Sequence, residues 1–262
     1  KEMLGFSSLA NYPDIFNFTT TRRGGVSKGN YGSLNCSPFT GDDTDAIRQN
    51  WAIIEGLLPI APIEVVMPYQ THGSNVLLVD KAFIQLSEQE REKVLYGVDA
   101  VVTKHPKVLL TIATADCVPI TFYDVKQQVV ALAHAGWRGT VAKVAEKVVT
   151  KMVDEYGSNP KDIQVGIGPS ISLEAFEVGH EVVDNFKNAG FDVAYIATKN
   201  AESEKYHIDL WKANSWVLTA CGIPTENISV AAICTYTSHD EFFSARRLGI
   251  KSGRITTGIM II

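Results

Sequence analysis

The chain has 262 residues, of which 45% are hydrophobic and 20% charged, with a formal net charge of -5 and a pI near 5.7. That composition is ordinary for a soluble globular protein, and the length suits one large domain or two small ones. The acidic balance argues against general nucleic-acid binding, and no apolar run approaches the roughly 18 residues of a membrane span. The first residues, Lys1 to Phe6, lack the apolar core of a secretory signal. The four cysteines, Cys36, Cys117, Cys221 and Cys234, form no CxxC pair in a chain too large to need staples, so free thiols in a reducing cytoplasm are expected.

Phe16 to Thr21 alternates like a strand and runs into a glycine-rich, basic loop from Arg22 to Asn35. Such a loop can offer backbone N–H groups and cations to an anion. Asp43 or Thr44 caps a helix carrying Ile47, Trp51, Ile54 and Leu58 on one face, and Pro59 stops it. Glu64 to Met67 and Val76 to Val79 read as strands around the turn Gln70 to Gly73. Ser87 to Glu90 is a capping box, and Asp99 to Thr103 is a strand. Two further strands, Val118 to Tyr123 and Val129 to Ala133, are separated only by Asp124 to Gln128, which predicts neighbouring strands. A helix is predicted from Thr140, with Val141, Val144, Ala145, Val148, Val149, Met152 and Val153 in one stripe and Gly157 as its C-cap. Gly136 to Gly139 then form a turn into a helix N-terminus, a place that favours anions. A strand at Ile163 to Ile167, helices at Glu174 to Ala189 and from Asp209 to Cys221, and strands at Ile228 to Ile233 and Ile255 to Ile262 complete the order. Strands and helices are interspersed, with no linker or repeat, which predicts a single α/β domain over residues 1–262.

The adjacent strands bring a thiol, Cys117, and an imidazole, His134, to one place. His72 lies in a turn and completes a set of three metal-capable side chains. A Cys/His pair suits a nucleophile with its base, and a His2Cys set suits an open zinc site. The residues alone leave both open, beside the plainer reading of polar histidines and a buried thiol. Asp116, next to Cys117, is a candidate to orient a ligand histidine or act as a general base. Arg138, Arg246, Arg247 and Arg254, with Arg22 and Arg23, flank glycines or small residues and would form an anion pocket if they converge. His105, His180, His207 and His239 read as surface residues, and Cys221 and Cys234 as core thiols.

Thr20 to Ser27, Ser33-Leu34-Asn35, Gln70 to Gly73, Asp99-Ala100, Thr114 to Ile120, His134 to Thr140, Ile167 to Ile171 and Phe243 to Arg247 follow one another in this order. The series resembles the YfiH-like family, long labelled multi-copper polyphenol oxidoreductase (laccase) and later described as purine nucleoside phosphorylases. The resemblance implies an α/β fold shared distantly with toxin deamidases and a zinc held by His72, Cys117 and His134, with copper as the other metal the old label suggests. It implies purine nucleosides and phosphate as small-molecule substrates, in phosphorolysis of adenosine, inosine, guanosine or methylthioadenosine, and in deamination of adenosine. Asn35, Arg22, Arg138, Arg246 and Arg247 are the expected substrate and phosphate contacts, and Asp116 the expected proton shuttle. Ala245 departs from the aromatic or histidine often found before the paired arginines, so a side-chain contact is lost there. The laccase label fits poorly, because a blue-copper site and a copper cluster need more than six histidines so placed. Two other readings are a Cys117/His134 amidase acting on peptidoglycan precursors and a zinc or nucleotide-binding module without turnover.

Overall fold

The structure is a computed structural model that describes residues 3–5 and 9–262. Two large sheets lie face to face, with helices on their outer faces. The first has the strand order Met3–Leu4, Ile15–Thr20, Ile255–Ile261, Val108–Thr114, Glu64–Val66. The second runs Ile228–Val230, Ile163–Ile167, Val118–Asp124, Val129–Ala135, Ala100–Thr103, Val76–Leu78. This is the mixed α/β architecture expected, and it explains why the central strands read as unbroken apolar runs. Alternate residues of one strand enter different cores. Val129, Ala131, Ala133 and Ala135 pack beneath the helices Val144–Tyr156 and Leu210–Ala220. Val130 and Leu132 instead face Leu110, Ile112 and Ile259 of the other sheet. On the far side of the first sheet, Leu109, Phe18 and Met260 meet Ile54 and Trp51 of the helix Thr44–Glu55.

The strands Val118–Asp124 and Val129–Ala135 pair antiparallel, with Pro119 opposite His134. Asp124 closes their turn by accepting from the N–H groups of Lys126 and Gln127. Val108–Thr114 belongs to the first sheet and Val118–Asp124 to the second, so Ala115, Asp116 and Cys117 are the crossing between sheets. The thiol sits at that seam.

Four elements differ from the sequence reading. The first helix ends at Glu55 with Gly56 as its C-cap, before Leu58 and Pro59. The stripe after Gly136 is two helices, Trp137–Val141 and Val144–Tyr156, broken at Lys143 with φ 54. The Thr140 hydroxyl donates back to the Gly136 carbonyl and accepts from Asn214, which tightens that first short helix. It has five residues, too short for an anion-binding N-terminus. The helix expected from Glu174 starts only at His180, because Glu177–Val178 pairs as a strand with Tyr206–Ile208. The strand expected from Ile228, at the edge of the second sheet, stops at Val230 rather than Ile233. Asp43 is the N-cap of the first helix, and the capping box at Ser87 is present with both its bonds.

Candidate metal centre

His72, Cys117 and His134 arrive from three different turns and strand ends. His72 lies at the left-handed φ of 64 in the turn after Glu64–Val66. The side-chain amide of Gln70 ties that turn to the first sheet by acting as a strand neighbour. Its Nε2 donates to the Ala113 carbonyl and its Oε1 accepts from the Ala113 N–H, both at 2.8 Å. Cys117 follows Asp116, whose φ of 85 turns the chain from one sheet to the other. His134 is the penultimate residue of its strand and is buried. One ligand atom from each of the three lies within 4.8 Å of the others, and the two imidazoles meet edge to face at 4.9 Å.

Asp99 organises this corner. Its buried carboxylate accepts from Thr71, His72 and Gly73 N–H at 3.3, 3.0 and 2.8 Å, and from His134 Nδ1 at 2.8 Å. One side chain thus fixes the His72 turn and the His134 tautomer, leaving His134 Nε2 as the ligand atom. Burial alone would raise the Asp99 pKa, but the bond and charge of His134 and the N–H groups of Gly73 and Thr71 hold it below the ordinary value. In Cys117 burial also pushes the thiol up, and the charge and hydrogen bonds of His134 and His72 overcome it, so the pKa is lowered. In His134 the balance runs the other way. Burial lowers the pKa, and Cys117 and Asp99 together raise it.

Gly136 leaves the room the corner needs. A Cβ there would sit 2.9 Å from Cys117 Sγ and 3.2 Å from His72 Cδ2. Gly139 approaches the same turn, since a Cβ there would stand 3.0 Å from the Gly73 carbonyl. A thiol and two imidazoles, one oriented by a carboxylate, with backbone held open around them, is a donor set that fits a tetrahedral soft metal with one position free.

The corner opens on a cleft of about 210 Å³. Phe39 and Tyr69 line it, half exposed, with their rings 4.8 Å apart, and Tyr96 stacks on Tyr69 outside it at 5.0 Å. Ala245 and Ile250 line it too, so the alanine noted in sequence does border the cleft. The remaining expected contacts sit elsewhere. Asp116 turns away from the histidines, its carboxylate accepting from Thr235 and Ser244 hydroxyls and the Arg246 N–H. Asn35 is fully buried and engaged with Thr40, Asp42, Ser37 and the Arg254 N–H. Arg22 donates to the carbonyls of Gly32 and His239, Arg246 to that of Glu177 and Arg247 to that of Tyr236. Exposed Arg138 lies over the Trp137 ring. None of these arginines lines the cleft; Arg254 does. The glycine-rich loop likewise satisfies its own N–H groups, Gly25 and Ser27 at Ser33 and Val26 at Asn50.

Sequence reasoning assigned no role to Asp99, Gln70, Phe39 or Tyr69. For Asp99 a signal existed: pairing Ala100 with Ala133 sets its neighbour Asp99 beside His134. Of the other histidines, His180 packs on Tyr206, His207 faces Glu177 and His239 faces Asp240. Cys36, on which the sequence was silent, is buried, whereas Cys221 and Cys234 are only partly so. No described helix is long and apolar enough to cross a membrane.

The family model described as multi-copper polyphenol oxidoreductase laccase matches residues 16–262. A Bacteroides thetaiotaomicron protein named purine nucleoside phosphorylase is 50% identical, covering 100% of this chain and 97% of that relative. A protein named adenosine deaminase, from an unknown prokaryotic organism, is 42% identical and covers 92% of each. The crystal structure of the Bacillus licheniformis hypothetical protein YfiH superposes with a TM-score of 0.90 at 30% identity, covering 100% of this chain and 97% of that one.

Proposed function

Because the chain belongs to the YfiH-like family described as multi-copper polyphenol oxidoreductase laccase, we propose that it is a zinc-dependent purine nucleoside enzyme of the cytoplasm. Its reactions are phosphorolysis of adenosine, inosine, guanosine or methylthioadenosine, and deamination of adenosine. The observation that carries the reading is the His72, Cys117 and His134 cluster in a cleft lined by Phe39 and Tyr69. The names of the two relatives support it.

His72, Cys117 and His134 would hold the metal. A bound zinc supplies Lewis acidity at the position these three side chains leave open. Asp99 keeps the proton on His134 Nδ1 and so keeps the Nε2 lone pair directed at the cluster. Phe39 and Tyr69 offer aromatic surface against which a planar purine can lie. A multi-copper centre is disfavoured by the donor inventory. Among the described residues His72, Cys117 and His134 are the one group of three such ligands, and the other histidines lie apart from it.

Metal analysis of freshly purified protein, beside chromatography of a reaction with adenosine and phosphate, tests the reading. About one zinc per chain is expected, with adenine, hypoxanthine or inosine as products. Zinc without any purine product would refute it. A second reading, a Cys117/His134 amidase, draws on the lowered thiol and raised imidazole pKa, the polarity of a thiolate–imidazolium pair. Amide hydrolysis by metal-free protein, abolished by iodoacetamide on Cys117, would favour it.

A further inference from the structure

Among the described residues the cleft has one guanidinium on its wall, that of Arg254. It directly precedes Ile255, which pairs with Thr114, so it is carried beside the segment that delivers Cys117. Its Nη1 donates to the Ser252 carbonyl at 2.7 Å, the Ser252 hydroxyl at 3.1 Å and the Gly253 carbonyl at 3.0 Å. Its Nη2 donates to the Ile250 carbonyl at 2.9 Å. All four acceptors are neutral. Among the described residues no carboxylate lies within 4.0 Å of it and its Nε–H has no acceptor, whereas Arg23 is paired with Glu241 and Arg91 with Glu64. Burial lowers the Arg254 pKa, against the fields of Cys117 and Asp116. A partly buried cation is costly unless something neutralises it, and a guanidinium with an open N–H matches an oxyanion. The carbonyl bonds fix the plane of that group before any ligand arrives.

We propose that Arg254 is the anion subsite of the cleft and holds the inorganic phosphate used in phosphorolysis. The assignment rests on the purine nucleoside reading above. In the reaction a phosphate oxygen forms the bond to C1′ as the C1′–N9 bond breaks. The bonding pair leaves on N9, which takes the proton the phosphate gives up, so free purine and ribose 1-phosphate result. Deamination of adenosine needs water and no phosphate, so the two activities differ in their need for this residue.

The test is Arg254→Gln, assayed with both reactions beside zinc content. The KM for phosphate should rise about tenfold or more, the loss expected for a charged hydrogen bond. The ratio of phosphorolysis to deamination should fall by the same factor, with zinc retained. An unchanged KM for phosphate, or both activities falling together with loss of zinc, would overturn the assignment. Should this variant not fold, Arg254→Lys keeps the charge and loses the fork. It should show an intermediate KM for phosphate, and an unchanged one would again overturn it. If the wild-type protein yields no purine product, the enzyme reading fails on its own. Calorimetry with inorganic phosphate, wild type against Arg254→Gln, then still decides the subsite: binding lost in the variant upholds it, and equal or absent binding overturns it.

Discussion

Two regions of this molecule are rich in residues that chemistry uses, and they differ in where their polar groups point. In the corner made by His72, Asp99, Cys117 and His134, the side chains face one another and one ligand atom of each metal-capable group lies within 4.8 Å of the others. In the loops around residues 22–35 and 236–254, Arg22, Arg246, Arg247 and Asn35 hold backbone carbonyls and neighbouring loops together. Residues equipped for chemistry therefore mean a candidate site in one place and scaffolding in the other. Residue type nominates a group, and whether its side chain lines the cleft decides whether it is available to a ligand.

The contrast breaks most severely at Cys117. Cys117→Ala should lower zinc affinity beyond the roughly 10–100-fold that loss of an outer partner costs, as read by chelator competition, and abolish both activities. Full activity in the metal-free variant would remove the corner from the mechanism. Gly136→Ala comes next, because its Cβ would press on Cys117 Sγ and His72 Cδ2. Zinc affinity should fall while the circular dichroism spectrum is kept; unchanged affinity would show that the corner is not held so closely. For Asp99→Asn a loss of about 10–100-fold in zinc affinity is expected.

Asp99 also carries a pH signature. Its folded pKa is lowered, so the stability it contributes is fully present above its unfolded value of about 3.9 and lost as pH falls through the lower folded value. Acid titration of the metal-free protein should therefore be steeper below about pH 4 for the wild type than for Asp99→Asn. Identical slopes would mean that Asp99 titrates as an ordinary carboxylate. The smallest effect belongs to the scaffold side. Arg246→Ala, at an exposed position, should change stability by about 0.5 kcal/mol or less and leave the KM for phosphate near that of the wild type. A large rise in that KM would move Arg246 from scaffold to site.

The hairpin around Asp124 to Gln128, the capping box at Ser87 and the N-cap at Asp43, and the three metal-capable side chains were legible in the sequence. Each depends on neighbours a few residues away or on chemistry that few residue types share. The helix break at Lys143 was not, because the stripe of valines continues through it and only the packing of Thr140 against Gly136 and Asn214 interrupts it. Nor was the strand at Glu177–Val178, which exists because Tyr206–Ile208 pairs with it.

By itself the sequence determined that strands and helices would be interspersed around strands with buried faces, and that His72, Cys117 and His134 were the residues to watch. Periodicity and residue chemistry are local properties, and they survive being read in one dimension. The tertiary structure decided that Asp99 rather than Asp116 orients His134, and that Arg254 rather than the paired arginines reaches the cleft. Both outcomes turn on contacts between segments distant in the chain. Asp116 could not serve His134 once Thr235, Ser244 and Arg246 had claimed its oxygens, and nothing near position 116 in the sequence announces those partners.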